Sequence, residues 1–269
     1  FQTTILGQEK IGQVHFMYKG AREKLFPFFN SIESQLHQDA ASITKNMDAR
    51  GGGISSITLV DKTIELDNYY QIHACFNTVD SMGANFINSC LEQFAKTLVR
   101  EAATNTDLKG EEPIEIVMSI LSNYVPNCLV RAEVRCTIDA LEPEEGMTKR
   151  EFAEKFVRAV EIARIEPHRA VTHNKGIMNG IDAVVLATGN DFRAVEAGIH
   201  AYASRTGQYR SLSTASCTED EFCFALEIPL AVGTVGGLTN LHPLVKWSMQ
   251  LLGNPKASEL MELIAVAGL

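Results

Sequence analysis

The spacing of apolar residues in the first 120 positions switches between the periods of a strand and of a helix. Alternation of apolar and polar residues is typical of a half-buried strand, and apolar residues every three to four positions are typical of an amphipathic helix. Asp67 and Asn68 separate two β-branched, aromatic runs, which predicts a hairpin. The predicted elements in order are a strand at 10–18, a helix at 25–43, a hairpin of 54–66 and 69–79, a helix at 86–103 and a strand at 114–120. This βαββαβ order predicts a ferredoxin-like domain.

A polar stretch at 104–113, with a glycine at Gly110, is the best candidate for a domain boundary. The pattern predicts a small ferredoxin-like domain over residues 1–112 and a larger α+β domain over 113–269. Thr148 and Glu151 have capping-box spacing and predict the start of a helix. In the larger domain we further predict a strand at 130–138, strands and loops across 211–237, and helices near 177–187, 192–204, 243–252 and 255–267.

Composition and charge narrow the function classes. The chain has 45% hydrophobic residues, a net charge of −9 and no run of Lys and Arg, so no nucleic-acid partner is expected. No apolar stretch reaches the length of a membrane span, which predicts no membrane partner and a cytoplasmic protein. Six scattered cysteines without metal-ligand spacing predict no disulfide and no metal. Because it begins at Phe1 and ends directly after an apolar run, the chain is expected to be part of something longer.

Polar residues concentrate around three glycines in the segment 166–191. Glycine lets backbone come close to a ligand, and a neighbouring apolar wall strengthens the interaction between a lysine and a carboxylate. From spacing alone, a surface loop with a solvated lysine remains the alternative, and a helix N-cap is the alternative for Asp191. The candidate residues are Arg169, His173, Asn174, Lys175, Asn179, Asn190 and Asp191.

The same segment contains THNKGIMNGID, ATGND and RAVEAG, with DSMGAN upstream and IPLAVGTVGG and LHPL downstream. Together these motifs resemble the class II, bacterial-type hydroxymethylglutaryl-coenzyme A reductases. The resemblance implies an NAD(P)H-dependent oxidoreductase of isoprenoid biosynthesis that converts hydroxymethylglutaryl-CoA into mevalonate and free CoA, or runs the reverse. It also implies a homodimer or higher homo-oligomer with its active site between subunits. The family's catalytic glutamate and histidine have no counterpart among the motifs of this sequence.

The resemblance also implies roles for single residues. Lys175 matches the catalytic lysine and Asp191 the catalytic aspartate. Arg169 matches the arginine that binds the substrate carboxylate, while Asn179 and Asn123 match polar contacts to the substrate; for Asn123 a turn residue is an equal alternative.

The DSMGAN segment resembles the family's dinucleotide-binding element, which implies cofactor contacts from Asp80, Met82, Gly83, Ala84 and Asn85. The cofactor is NADPH or NADH, and the absence of an acidic residue at Ile43 weakens the case for NADH. Two other functions remain open. The first is a noncatalytic module that binds a CoA thioester or a dinucleotide, and the second is an unrelated ferredoxin-like interaction protein.

Overall fold

The structure, a computed structural model, describes residues 1–143, 145–237 and 241–269. They divide into two compact units. The small unit comprises Glu9–Val79 and Gly83–Ser122, and the large unit comprises Phe1–Gln8, Asp80–Met82 and Asn123–Leu269. The elements in chain order are β1 (Gln2–Ile5), β2 (Glu9–Met17), α1 (Arg22–Asp48), β3 (Gly53–Asp61), β4 (Tyr69–Asn77), α2 (Ala84–Thr104), β5 (Glu115–Leu121), β6 (Leu129–Thr137), α3 (Lys149–Ile165), α4 (Pro167–Ala187), α5 (Phe192–Ala203), β7 (Ser213–Cys217), β8 (Glu221–Pro229), α6 (Pro243–Leu251) and α7 (Ala257–Gly268).

The small unit confirms the ferredoxin-like prediction. Its four strands form one antiparallel sheet in the order β3-β4-β2-β5. On β2, Val14 and Phe16 are fully buried and belong to the same core as Leu25 of α1 and Leu91 of α2. Burial of these alternating side chains fixes the strand register, because a shift of one residue would expose them.

The predicted boundary between residues 112 and 113 is misplaced. The polar stretch 104–113 is a connection inside the small unit, since it joins α2 to β5 and β5 pairs with β2 from Gly12↔Leu121 onward. The small unit is an insertion, because β1 precedes it in the chain and pairs with β6 of the large unit. With only four residues, β1 is too short to show a clear alternation in the sequence.

The large unit has a second antiparallel sheet, in the order β1-β6-β8-β7, with α3, α4, α5 and α7 packed within the unit. Thr148 caps α3 in the predicted capping box with Glu151. Gly180 of α4 lies against the backbone of α7, where an added Cβ would overlap the carbonyl group of Ala267. Two helices therefore approach more closely here than any other residue would permit.

The ten residues before 177, for which the sequence predicted no helix, are helical. The helix α4 begins at Pro167, and the carboxylate of Glu166 accepts hydrogen bonds from the amides of His168 (3.2 Å) and Arg169 (2.6 Å). Proline is favoured in the first turn of a helix, but glutamate is not among the usual N-cap residues, so this start was missed. Likewise, α7 begins at Ala257 rather than at residue 255.

Within the described ranges, no helix combines the length and apolar character that crossing a membrane requires.

Candidate active site

Lys175 and Asn179 lie one turn apart on the exposed face of α4. Four helical residues separate by about 40° around the axis, so the two side chains project from one face. Val171 and Leu186, each 54% exposed, fall on the same arc. An ammonium group and an amide thus stand on an exposed helical surface between two large apolar side chains.

Arg169 lies in the first turn of α4 and does not share that face. Six residues separate it from Lys175, which corresponds to about 120° around a helix. Its side chain is exposed. The structure therefore places Arg169 about 120° from Lys175 and about 80° from Asn179 around one helix.

Asp191 confirms the N-cap alternative. Its Oδ1 accepts the amides of Arg193 (3.1 Å) and Ala194 (3.2 Å), and the Arg193 guanidinium lies 3.7 Å from the same oxygen. The residue is exposed. These contacts all use Oδ1, so capping does not preclude a further interaction through Oδ2.

Asn190 positions this cap, a role that the sequence did not reveal. Its side chain donates to the hydroxyl of buried Thr188 (3.1 Å) and accepts from the amide of Gly233 (2.8 Å). The ATGND motif is therefore tied to the AVGTVGG segment. Asn190 directly precedes the N-cap residue Asp191 in the sequence. That position was the signal that could have indicated its role.

Asn123 is exposed and sits beside α5. Its carbonyl oxygen is 2.6 Å from the place that a Cβ on Gly198 would occupy, so Gly198 allows α5 to approach the backbone of Asn123. Asp191 and Asn123 are both positioned by α5, one at its start and the other about two turns along.

His173 and Asn174 fasten α4 to the segment before β7. His173 Nε2 is 2.7 Å from the Ser213 hydroxyl, while buried Asn174 donates to the carbonyl of Arg210 (2.9 Å) and accepts from the amide of Leu212 (3.1 Å). Burial, and secondarily the charge of Arg169, lowers the pKa of His173. The imidazole is thus neutral at pH 7, which suits a structural contact better than proton donation.

Asp182 on α4 and Glu196 on α5 form a carboxyl pair that the sequence analysis did not select. Oδ1 of Asp182 is buried and has no hydrogen-bond partner among the described residues. Burial, followed by the charge of Glu196 and a hydrogen bond with it, raises the pKa of Asp182 to about 6. Asp182 therefore keeps its proton to a higher pH than an ordinary aspartate does, on the same helix that carries Lys175.

Asp80, predicted to contact a cofactor, makes structural contacts within the large unit. Its carboxylate accepts the amide of Ala257 at the start of α7 (2.9 Å), and its carbonyl accepts the amides of Thr234 (2.8 Å) and Val235 (3.2 Å). Met82 runs so close to Gly233 that an added Cβ on the glycine would overlap the Met82 amide. This part of DSMGAN thus has its polar groups largely engaged by its own unit.

The second half of DSMGAN opens a helix of the small unit. Gly83 is the N-cap of α2 with φ of 85°, a left-handed conformation that favours glycine, and an added Cβ would overlap Thr78. Among the described residues no side chain caps this helix, and its first turn contains no acidic residue. Amides at an uncapped helix start can receive a phosphate, so Gly83, Ala84 and Asn85 are compatible with the pyrophosphate of a dinucleotide.

Comparison with known proteins extends these observations. The family model described as hydroxymethylglutaryl-coenzyme A reductase matches residues 1–269. A 3-hydroxy-3-methylglutaryl-coenzyme A reductase of Archaeoglobus fulgidus is 36% identical over 220 residues, covering 81% of this chain and 47% of the relative. A probable 3-hydroxy-3-methylglutaryl-coenzyme A reductase of Borreliella burgdorferi is 30% identical, covering 94% of this chain and 56% of the relative.

Solved structures of the same family are also similar to this chain. The class II 3-hydroxy-3-methylglutaryl-CoA reductase of Streptococcus pneumoniae bound to NADPH in open conformations is 35% identical, with a TM-score of 0.86, covering 99% of this chain and 70% of that one. Another structure of the S. pneumoniae enzyme gives a TM-score of 0.87 at 34% identity and covers 61% of that chain.

The two units, with their separate antiparallel sheets, have the architecture of the class II reductases. The chain belongs to the hydroxymethylglutaryl-coenzyme A reductase family, which confirms the resemblance inferred from the motifs. It spans about half the length of the curated relatives that it matches.

Proposed function

We propose that this protein reduces hydroxymethylglutaryl-CoA to mevalonate and free CoA with two equivalents of NADPH or NADH, or catalyses the reverse reaction. The observation that carries the proposal is the exposed face of α4, where Lys175 and Asn179 stand on the motif shared with the family. Buried Asn174 ties α4 to the segment before β7, so the backbone of the neighbouring Lys175 is held in place. The lysine side chain therefore extends from a rigid position toward a reacting carbonyl.

Lys175 is proposed to stabilise the negative oxygen that develops as hydride reaches the thioester or aldehyde carbonyl. A preorganised cation aimed at a developing oxyanion lowers the barrier because its charge need not be reorganised during the reaction. The bound nicotinamide supplies the hydride. Asn179, one turn along the same face, is proposed to orient the substrate by hydrogen bonding.

Asp191 and Arg169 are proposed to complete the substrate site. The Oδ2 atom of Asp191 would take part in the proton network of the reaction, while Oδ1 keeps α5 capped. Arg169 would bind the terminal carboxylate of the substrate through its bidentate guanidinium. Asn123, held beside α5, is proposed as a further substrate contact.

The amides at the start of α2 are proposed to bind the dinucleotide pyrophosphate. Gly83, Ala84 and Asn85 provide donors at a helix start that has no acidic residue. Met82 would contact the cofactor through its apolar side chain. Asp80 already caps α7, so its proposed contribution is to hold the segment in place. The relative solved with NADPH makes that cofactor the first to test.

The proposed assembly is a cytoplasmic homodimer, or a higher homo-oligomer, with the active site between subunits. The support is the exposure of Val171, one turn from Lys175, and of Leu186, about three turns along the same face, because large exposed apolar groups on one face mark an interaction surface. The alternative function is a noncatalytic module that binds a CoA thioester or a dinucleotide, and an assay of turnover separates the two.

The test follows nicotinamide absorbance after addition of hydroxymethylglutaryl-CoA, with NADPH and NADH in separate reactions. We expect one cofactor to be oxidised, and we expect Lys175→Ala to lower kcat by at least about 100-fold, the usual effect of removing an oxyanion donor. Lys155→Ala, which removes an exposed lysine from α3, is the matched control and should leave kcat unchanged. Binding of the thioester without oxidation of either cofactor would establish the binding module instead.

A further inference from the structure

A depression of about 330 Å³ in the large unit is lined by an unusual density of arginine. It lies where the end of α5 and the start of β7 meet β6 and β8. Its charged and hydroxyl-bearing lining residues are Arg131, Arg164, Arg205, Thr206, Arg210, Ser211, Thr214 and Glu227. None of them belongs to the substrate or cofactor site proposed above.

Two of the four arginines are neutralised by carboxylates. Arg131 contacts Glu133 (3.1 Å) and, more distantly, Glu227 (4.0 Å). Arg164 pairs with Glu161 at 2.8 Å. These two arginines line the depression but bring little net charge to it. The negative charge of Glu227 is offset by Arg131.

Arg205 and Arg210 are different, since neither has a carboxylate within 4 Å among the described residues. Arg205 stacks on the ring of Tyr202, with its guanidinium carbon 3.8 Å from the centroid, and donates to the Tyr202 carbonyl (2.9 Å). Arg210 donates to the Arg164 carbonyl (3.2 Å) and approaches the Gln208 amide oxygen (3.4 Å). Both guanidinium groups are therefore held in place by neutral partners that leave their charges uncompensated.

Arg210 also has an unused donor. Its Nε is buried and has no hydrogen-bond partner in the described part of the chain. Because this atom is closed to solvent, an anionic ligand in the depression would contact Arg210 through its two terminal nitrogens rather than through Nε. Two uncompensated cations beside three hydroxyl groups, in a chain whose net charge is −9, indicate a local anion site rather than a generally basic surface.

We propose that this depression, called here the arginine pocket, binds the phosphate group of a small ligand. Arg205 and Arg210 supply charge-assisted hydrogen bonds, and Thr206 and Thr214 are the neutral donors around them, because the Ser211 hydroxyl is already bonded to Ser213. The volume exceeds that of free phosphate, so a small phosphate ester also fits.

The test is calorimetric titration of the protein at low ionic strength with inorganic phosphate and, separately, with glycerol 3-phosphate. We expect saturable binding that Arg205→Gln and Arg210→Gln each weaken by at least about tenfold, the usual effect of removing one charged hydrogen-bonding group. The matched control is Arg158→Gln, an arginine on α3 whose side chain is 75% exposed, and it should bind like the parent. The tighter of the two ligands identifies the source of the phosphate.

Two results would overturn the proposal: no saturable binding of either ligand, or binding that Arg205→Gln leaves unchanged. Arg205 is exposed, so its variant remains decisive even if Arg210→Gln fails to fold. The titration is repeated with saturating CoA and with saturating NADPH. Unchanged phosphate affinity supports a separate site, whereas competition would show that the phosphate occupies a part of the nucleotide sites and would contradict the inference.

Discussion

At the scale of single residues, the fold of the large unit disfavours the ionised form of one carboxyl group. Asp182 has a pKa raised to about 6 by burial and by Glu196, so the folded state binds a proton more tightly than the unfolded chain does. The free energy of unfolding therefore decreases as the pH rises from about 4 to about 6, and the deficit persists at higher pH. An amide in this position would bear no such cost and could donate to Glu196.

We accordingly expect Asp182→Asn to be more stable than the parent at pH 7.5 by about 1 kcal/mol, a value reduced for partial exposure of the group. The gain should vanish as the pH approaches 4. Thermal unfolding between pH 4 and 8 measures it, with Asp220→Asn as a control that removes an exposed carboxyl group. A gain that is independent of pH would mean that ionisation of this pair is not responsible.

Lys175, Asp191 and Arg169 could be proposed as site residues from the sequence because their motifs are local, whereas the contacts around them could not be predicted. The contacts of Asn190 with Gly233 and of Asp182 with Glu196 depend on the packing of segments that are separate in the chain. Spacing along one segment contains no information about such partners. Asp80 shows the converse, since its motif predicted a ligand contact and its carboxylate caps a helix far along the sequence.

At the scale of elements, the two glycines of α4 have opposite roles. Gly180 permits close approach of α7, whereas an added Cβ on Gly176 would meet no atom of the described residues within 4 Å. Glycine inside a helix is itself unfavourable relative to alanine. The helix thus tolerates one glycine that packing requires and another that packing does not.

Gly180→Ala is expected to destabilise the protein by about 2 kcal/mol or more, because the methyl group forces α4 and α7 apart. Gly176→Ala in the same helix should instead stabilise it by about 0.5 to 1 kcal/mol, since it only removes the entropic cost of glycine. Denaturant unfolding of both variants checks the pair. Equal effects of the two substitutions would rule out close helix packing as the reason for Gly180.

Element prediction succeeded where burial gives a strong period. The strands and helices of the small unit were predicted mostly within three residues, because they alternate or carry a continuous apolar stripe. The first ten residues of α4 were missed because buried Asn174 and exposed Lys175 interrupt the apolar pattern, although both positions are helical.

At the scale of the whole molecule, the proposed dimer makes the exposed face of α4 an interface. An aspartate in place of Leu186 would bury an unpaired charge there, and we expect Leu186→Asp to weaken self-association by at least about tenfold. Sedimentation over a range of protein concentrations measures this. Ile64→Asp, which replaces an apolar side chain 98% exposed in the small unit, is the control. Unchanged association of the Leu186 variant would place the interface elsewhere.

The misplaced domain boundary also belongs to this scale. Thr104–Pro113 had the composition of a linker, yet the strand that follows it completes the small sheet. Composition identifies an exposed connection but not which sheet the next strand joins. That depends on pairing with β2, which lies about 100 residues earlier in the sequence. A boundary in an inserted unit must be located twice, and the earlier crossing, near residue 8, had no signal at all.

The insertion of the small unit also has a consequence for protein engineering. Its first and last strands, β2 and β5, are hydrogen-bonded neighbours, so the chain enters and leaves the small unit at adjacent points. Such a unit can be treated as a cassette, to be exchanged between relatives through two adjacent junctions. Asp80–Met82 is the exception, because this short stretch returns to the large unit in the middle of the cassette. A successful exchange must therefore keep those three residues matched to the host's Gly233–Val235 and α7 rather than to the donor cassette.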